Sequence, residues 1–171
     1  MPFVTRRAEA DLTATAIAGL DPERIFPDLT GATREDVLRD FSQRLAQTGA
    51  IRDGDDLARR LIEREGLGCT GLGGGIAIPH CKLKNLSEIV VAIGRCREPI
   101  NFQASDGVPV SILFLILSPA DAPALHLQAL ARLSRWLKTP GVAENLRRAR
   151  TREEILDAVR EGQPRPAAAH G

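Results

Sequence analysis

Between Gly66 and His80 the chain reads GLGCTGLGGGIAIPH, six glycines in fifteen residues. Each glycine disfavours a helix by about 1 kcal/mol relative to alanine, and the stretch has no 3.6-residue apolar period. A helix cannot run through it. The segment predicts a loop entering a short β-branched strand, Ile76 to Ile78, with Pro79 and His80 at its end. The rest of the fold has to be arranged around this break.

Upstream, Thr33 and Asp36 are spaced as a capping box, and Val37, Leu38, Phe41 and Leu45 form one apolar stripe, so a helix is expected until Gly49. A second helix is expected from the acids Asp53 to Asp56, which suit a positive helix end, to Gly66 with Leu57, Leu61 and Ile62 inward. Downstream, Ile89 to Ile93 and Val110 to Leu117 read as strands, the latter apolar on nearly every residue, as in a strand covered on both faces. Asp106-Gly107 marks a tight turn before it. After Ser118-Pro119 the chain turns helical, with Leu127, Leu130, Leu133, Trp136 and Leu137 at helical spacing and Pro140 closing the segment. Two shorter helices follow, the last opened by Thr151 and Glu154 and packing Ile155, Leu156 and Val159. The order helix, helix, strands, helices predicts an α/β fold, a single layered domain with a mixed β-sheet flanked by helices. Its limits are set at residues 21–160, between a loose N-terminal segment, 1–20, and a disordered tail, 161–171.

Composition narrows the function classes. A chain of 171 residues with 43% hydrophobic and 26% charged residues and a net charge of +1 falls in the ordinary globular class, with no basic excess to imply a nucleic-acid partner. Cys69, Cys81 and Cys96 form no CxxC pair and are odd in number, which fits a reducing cytoplasm better than a disulfide framework. Arg6 and Arg7 are not followed by a signal-peptide apolar stretch. The longest apolar run, Val108 to Leu117, falls well short of the roughly 20 residues that span a bilayer, so no membrane insertion is expected.

Three histidines are present, and His170 lies in the tail. His80 follows Pro79 beside the glycine-rich segment, where a side chain is both rigidly held and reachable. His126 lies in the first turns of a helix, whose positive end suits an anion. Phosphoryl acceptance needs a neutral imidazole nucleophile and donors for the transferring oxygens, because positioning and charge stabilisation do most of the work. His80 fits the nucleophile. His126 fits a hydrogen-bond donor, and Arg64 a permanently charged fork. Plainer readings stay open for all three: His80 as an incidental polar residue, His126 as a helix-terminal histidine satisfied by water or backbone, and Arg64 as part of a solvated face with Arg59 and Arg60, balanced by Glu63 and Glu65.

Residues Gly68 to His80, GCTGLGGGIAIPH, closely resemble the active-site segment of the mannitol/fructose type of enzyme IIA of the phosphoenolpyruvate-dependent phosphotransferase system (PTS), and most of all its nitrogen-regulatory branch. The resemblance extends to Glu98-Pro99-Ile100-Asn101-Phe102, to Asp106-Gly107-Val108-Pro109-Val110 and to the run His126 to Leu133. It covers about residues 22 to 160. It implies that His80 matches the family's phosphorylated histidine, taking phosphate from a histidine phosphocarrier protein of the HPr/NPr type. It further implies that His126 matches the second active-site histidine and that Arg64 neutralises the phosphoryl group. Such a chain is a cytoplasmic phosphotransferase component with a covalent phosphohistidine intermediate, and it needs no cofactor. Cys69 stands where the family has Ser or Thr, and Cys81 follows His80 where Gly or Ala is common. Strand alternation turns the Cys81 thiol away from the imidazole.

Other chemistries fail on context. Gly66 to Gly71 formally matches GxGxxG, but it follows a helix and leads into a strand, the reverse of a dinucleotide site. Cys69, His80, Cys81 and His126 have no recognised metal-ligand spacing, and no GxSxG elbow is present. Two roles remain: a regulator that binds other proteins according to its phosphorylation state, and a sugar-specific enzyme IIA that passes phosphate to an enzyme IIB cysteine. The GIAIPH segment favours the regulator.

Overall fold

The computed structural model describes Ile17 and residues 20–163. The expected loose N-terminal segment and disordered tail lie mostly outside these, although Ile17 and Leu20 are buried in the core. Local signals place the helix ends. In α1 (Arg34–Gln47) the Thr33 hydroxyl accepts from the Asp36 N–H and the Asp36 carboxylate accepts from the Thr33 N–H, so the first turn's orphan donors are satisfied reciprocally. Gly49, at φ 83°, takes the left-handed turn after that helix. Helix α2 (Gly54–Gly66) is capped by the Asp53 side chain. Three helices follow the sheet: α3 (Pro123–Leu137), α4 (Val142–Arg148) and α5 (Arg152–Gly162), the last with the expected Thr151 and Glu154 capping box.

Among the described residues the sheet has six strands: β1 (Ile25–Leu29), β2 (Gly71–Gly73), β3 (Ile76–Ala77), β4 (His80–Leu83), β5 (Val90–Ile100) and β6 (Val110–Pro119). Their order is β1-β5-β6-β3-β2, with β4 continuing beside β6. The sheet is mixed, as expected: β1 runs parallel to β5, β5 antiparallel to β6, and both β3 and β4 parallel to β6. Alternation along β6 explains its unbroken apolar run. Ile112, Phe114 and Ile116 face the core under α3, α4 and α5, while Leu113, Leu115 and Leu117 face the core under α1 and α2. A sheet buried on both faces has no solvent side on which to place polar residues.

Gly94 of β5 shows how closely α1 lies on the sheet. A methyl group there would collide with the Leu29 side chain and with Phe41 Cε2. Gly94→Ala is expected to destabilise the protein by about 1–3 kcal/mol through overpacking, read as a lower urea midpoint with an unchanged slope.

Three expectations are corrected. The glycine-rich stretch is not simply a loop: β2 and β3 pair antiparallel within it, and Gly73, Gly74 and Gly75 all have positive φ at the turn. His80 does not end the strand Ile76 to Ile78. That strand stops at Ala77, and His80 opens β4, because Pro79 cannot donate to the ladder. Leu127 is not in the core but 68% exposed. Moreover, β1 has no counterpart in the sequence reading. It is five residues long with a proline in the middle and exists by pairing with β5, Ile25 opposite Ile93.

Candidate functional site

Register brings the site together. In β4, His80 lies opposite Ile116, Cys81 opposite Leu117 and Lys82 opposite Ser118 of β6. Side chains paired across adjacent strands share a face, and the face alternates along each strand. His80, Lys82, Ile116 and Ser118 therefore project toward α3, and Cys81 projects toward α1 and α2. Cys81 packs, partly buried, against the core on that side, where burial pushes its thiol up to about 12. The expected separation of thiol and imidazole holds.

His80 is half-buried, and its Nδ1 lies 2.7 Å from the Ile78 carbonyl oxygen. A carbonyl can only accept, so Nδ1 carries the proton and Nε2 keeps its lone pair. This leaves Nε2 as the nucleophilic nitrogen of a neutral ring. Burial holds the His80 pKa below the ordinary histidine value; the Ile78 hydrogen bond opposes that, Arg64 adds to it and the negative charge of Glu65 opposes it.

His126 lies across from it. The ring centroids are 5.3 Å apart and the planes tilted by 49°. His126 occupies the first turn of α3, where its N–H bonds the Ala122 carbonyl, and its Nδ1 is 2.8 Å from the hydroxyl of the buried Ser118. Burial, followed by the charges of His80, Lys82 and Arg64, depresses its pKa to about 4. At neutral pH the ring is uncharged, and when the Ser118 hydroxyl donates to Nδ1, Nε2–H is left as a donor. The plain reading of His126, satisfied by water or backbone alone, does not describe this contact.

Arg64 ends α2 just before the glycine-rich segment. Its Nη1 donates to the Gly68 carbonyl at 2.9 Å, and among the described residues it enters no ion pair. The solvated-face reading assigned Glu65 to balance it, but Glu65 is turned inward onto Thr70. Arg59 and Arg60 do pair, both with Asp56. Arg64 is thus a half-buried cation whose field reaches both imidazoles.

Cys69 is held by two hydrogen bonds. Its thiol donates to the Phe102 carbonyl at 3.1 Å, and its sulfur accepts from the Gly71 N–H at 3.2 Å. The hairpin tip is tied down twice more, by the Asp106 carboxylate accepting from the Gly74 N–H at 2.8 Å and by Arg147 donating to the Gly74 carbonyl at 2.7 Å. Gly74 has φ 65°, and a Cβ there would sit 2.9 Å from Arg147 Nη1, so a side chain would strain the backbone and displace the arginine that ties the tip.

Two residues of the site escaped the sequence reading, Lys82 and Ser118. Lys82 was findable, since it lies two positions after His80 and two-residue periodicity puts it on the same face. Ser118 was not, because its place beside His126 depends on how α3 packs on β6.

The arrangement offers a neutral nucleophilic nitrogen, a neutral donor, two cations and a pinned glycine hairpin. Such groups suit the transfer of an anionic group to a ring nitrogen. Among the described residues no helix is long and apolar enough to cross a membrane.

Residues 19–162 match the family model described as phosphoenolpyruvate-dependent sugar phosphotransferase system, EIIA 2. A nitrogen regulatory protein of Bradyrhizobium diazoefficiens is 38% identical over 138 residues, which is 81% of this chain and 90% of that one. A PTS system fructose-specific EIIA component of Haloferax volcanii is 36% identical over 151 residues, 88% of this chain and 98% of that protein. The crystal structure of nitrogen regulatory protein IIA-Ntr from Neisseria meningitidis superposes with a TM-score of 0.74 at 30% identity, covering 84% of this chain and 98% of that one. With a family model matched over residues 19–162 and relatives of this identity and coverage, the chain belongs to the EIIA 2 family of the PTS.

Proposed function

We propose that this protein is a cytoplasmic phosphoryl-carrying regulator, which takes a phosphoryl group on His80 from a histidine phosphocarrier protein of the HPr/NPr type. The observation that carries the reading is the 2.7 Å bond from His80 Nδ1–H to the Ile78 carbonyl. It holds the ring in the tautomer whose Nε2 attacks. In the transfer, the donor's P–N bond breaks with its electron pair returning to the donor ring, and a new P–N bond forms at His80 Nε2. The His80 ring gains positive character as that bond forms, and its proton stays on Nδ1, hydrogen-bonded to the Ile78 carbonyl. His126, oriented by Ser118, donates Nε2–H to a phosphoryl oxygen, while Arg64 and Lys82 offset the phosphoryl charge. No metal or cofactor is required.

The regulatory role is supported by the nitrogen regulatory relatives and the Neisseria structure. The Haloferax relative keeps the sugar-specific role as the alternative. The decisive experiment supplies phosphoenolpyruvate, enzyme I and the carrier protein, then offers sugar-specific enzyme IIB proteins as acceptors. The expected result is one phosphoryl group on His80 Nε2, resolved from Nδ1 by phosphorus NMR, with no onward transfer to IIB. Transfer to a IIB cysteine would move the protein to sugar uptake, and phosphate on Nδ1 would refute the assigned tautomer.

Phosphorylation adds about two negative charges. Leu67, three residues after Arg64, and Leu127, next to His126 in sequence, are exposed apolar side chains. Pull-downs with phosphorylated and unphosphorylated protein are expected to recover different partners. Identical recovery at equal strength would overturn the regulatory role.

A further inference from the structure

Glu65 is a charged side chain only 3% exposed, next to a cation at the site yet unpaired with it. Both its oxygens accept from one residue: Oε2 from the Thr70 N–H at 3.2 Å, and Oε1 from the Thr70 hydroxyl. Burying a carboxylate is costly unless it is well satisfied, so the position asks for a reason. The reason lies in what Thr70 holds. Its carbonyl accepts from the Ile78 N–H at 3.0 Å, and the Ile78 carbonyl accepts from His80 Nδ1–H at 2.7 Å.

We infer that Glu65 is a positioning residue for phosphoryl transfer, acting through Thr70 and Ile78 to fix the ring orientation and tautomer of His80. This deepens the phosphoryl-acceptor reading proposed above and rests on it. The chain Glu65, Thr70, Ile78, His80 links the end of α2 to the nucleophile across the glycine hairpin. Without such a link, a hairpin this rich in glycine would leave the Ile78 carbonyl free to shift, and misplacement by about 1 Å can cost roughly a hundredfold in rate. The neighbouring Arg64 donates to Gly68, so one helix end sets both the cation and the imidazole. Glu65 also acts through its charge, which favours a protonated His80 ring, whereas Arg64 opposes protonation.

The test is nitrogen-15 NMR of the histidine rings in the full chain at about pH 8, above the ordinary histidine pKa, in wild type, Glu65→Ala and Glu65→Gln. Wild type is expected to hold His80 as the Nδ1–H tautomer. Glu65→Ala is expected to shift the ring toward a mixture with Nε2–H and to slow phosphoryl uptake roughly tenfold to a hundredfold. Glu65→Gln can accept from the Thr70 N–H and donate to the Thr70 hydroxyl, so it should retain the tautomer and most of the rate, with a lower His80 titration midpoint. A role confined to stability would lower the melting temperature of Glu65→Ala and leave the tautomer alone. An unchanged tautomer in folded Glu65→Ala therefore overturns the inference. Should that variant not fold, Thr70→Val decides instead: a partial shift supports the inference and an unchanged tautomer overturns it. The tautomer is read without any phosphoryl donor. Failure of wild-type uptake would thus refute the phosphoryl-acceptor reading, while a normal uptake with an unmoved tautomer would refute the role of Glu65 alone.

Discussion

His80→Ala is expected to take up no phosphoryl group from the phosphorylated carrier protein while keeping the wild-type fold. Nε2 of this ring carries a lone pair that the Nδ1–H bond to Ile78 leaves uncommitted, and alanine supplies no nucleophile. The side chain is half-buried at the start of β4 and does not belong to either apolar core, so its loss should cost little stability. Labelled phosphoenolpyruvate, with enzyme I and carrier, checks the result; label persisting in His80→Ala would refute the assignment. In the wild type, uptake should be independent of pH at neutral and mildly alkaline values. It should fall on the acid side, below the ordinary histidine pKa of about 6.5, because the ring's own pKa is lowered. A maximum that instead tracked His80 protonation would contradict the neutral nucleophile.

His126→Ala has the second largest expected effect. Removing one preorganised donor to a developing anion typically costs on the order of 10²–10³ in rate, and rapid-quench measurement of phosphoryl uptake should show a loss at the low end of that range, since Arg64 and Lys82 remain. His126→Gln, which restores an N–H, should recover part of it. The same substitution should change acid stability in a defined direction. His126 has a folded pKa of about 4 against an ordinary value of about 6.5. Between those values the unfolded chain binds the proton and the folded chain does not, so stability falls as pH drops from about 6.5 toward 4. The loss is on the order of 3 kcal/mol, and it should be smaller in His126→Ala than in wild type. An unchanged rate would remove His126 from the transfer, and an unchanged acid slope would show that its environment is not the buried one described.

These effects combine parts of the molecule that differ in how visible they are locally. The two capping boxes, at Thr33 and Thr151, involve residues three positions apart, and both formed as expected. Cys81 faces away from His80 because alternation along an extended chain is a local property. Leu127 shows the limit of the same kind of reasoning. Helical spacing assigns it to an apolar set, but which part of α3 meets the sheet is decided by packing, and the residue beside His126 is left in solvent.

By itself the sequence determined the breaks and the chemistry-bearing residues: the helix-excluding glycines, the strand alternation, and the motif from Gly68 to His80 with its family resemblance. Each of these depends on neighbours within a few residues, or on a pattern that survives without knowing the fold. Only the tertiary structure decided that β1 exists, that Ser118 meets His126, that Glu65 leaves the arginine-rich face to hold Thr70, and that His80 opens a strand rather than closing one. These are contacts made by packing and register, whose energies depend on which surfaces meet. The glycine-rich segment marked where the site would be, and the surrounding fold supplied the fixed geometry that such a flexible segment lacks alone.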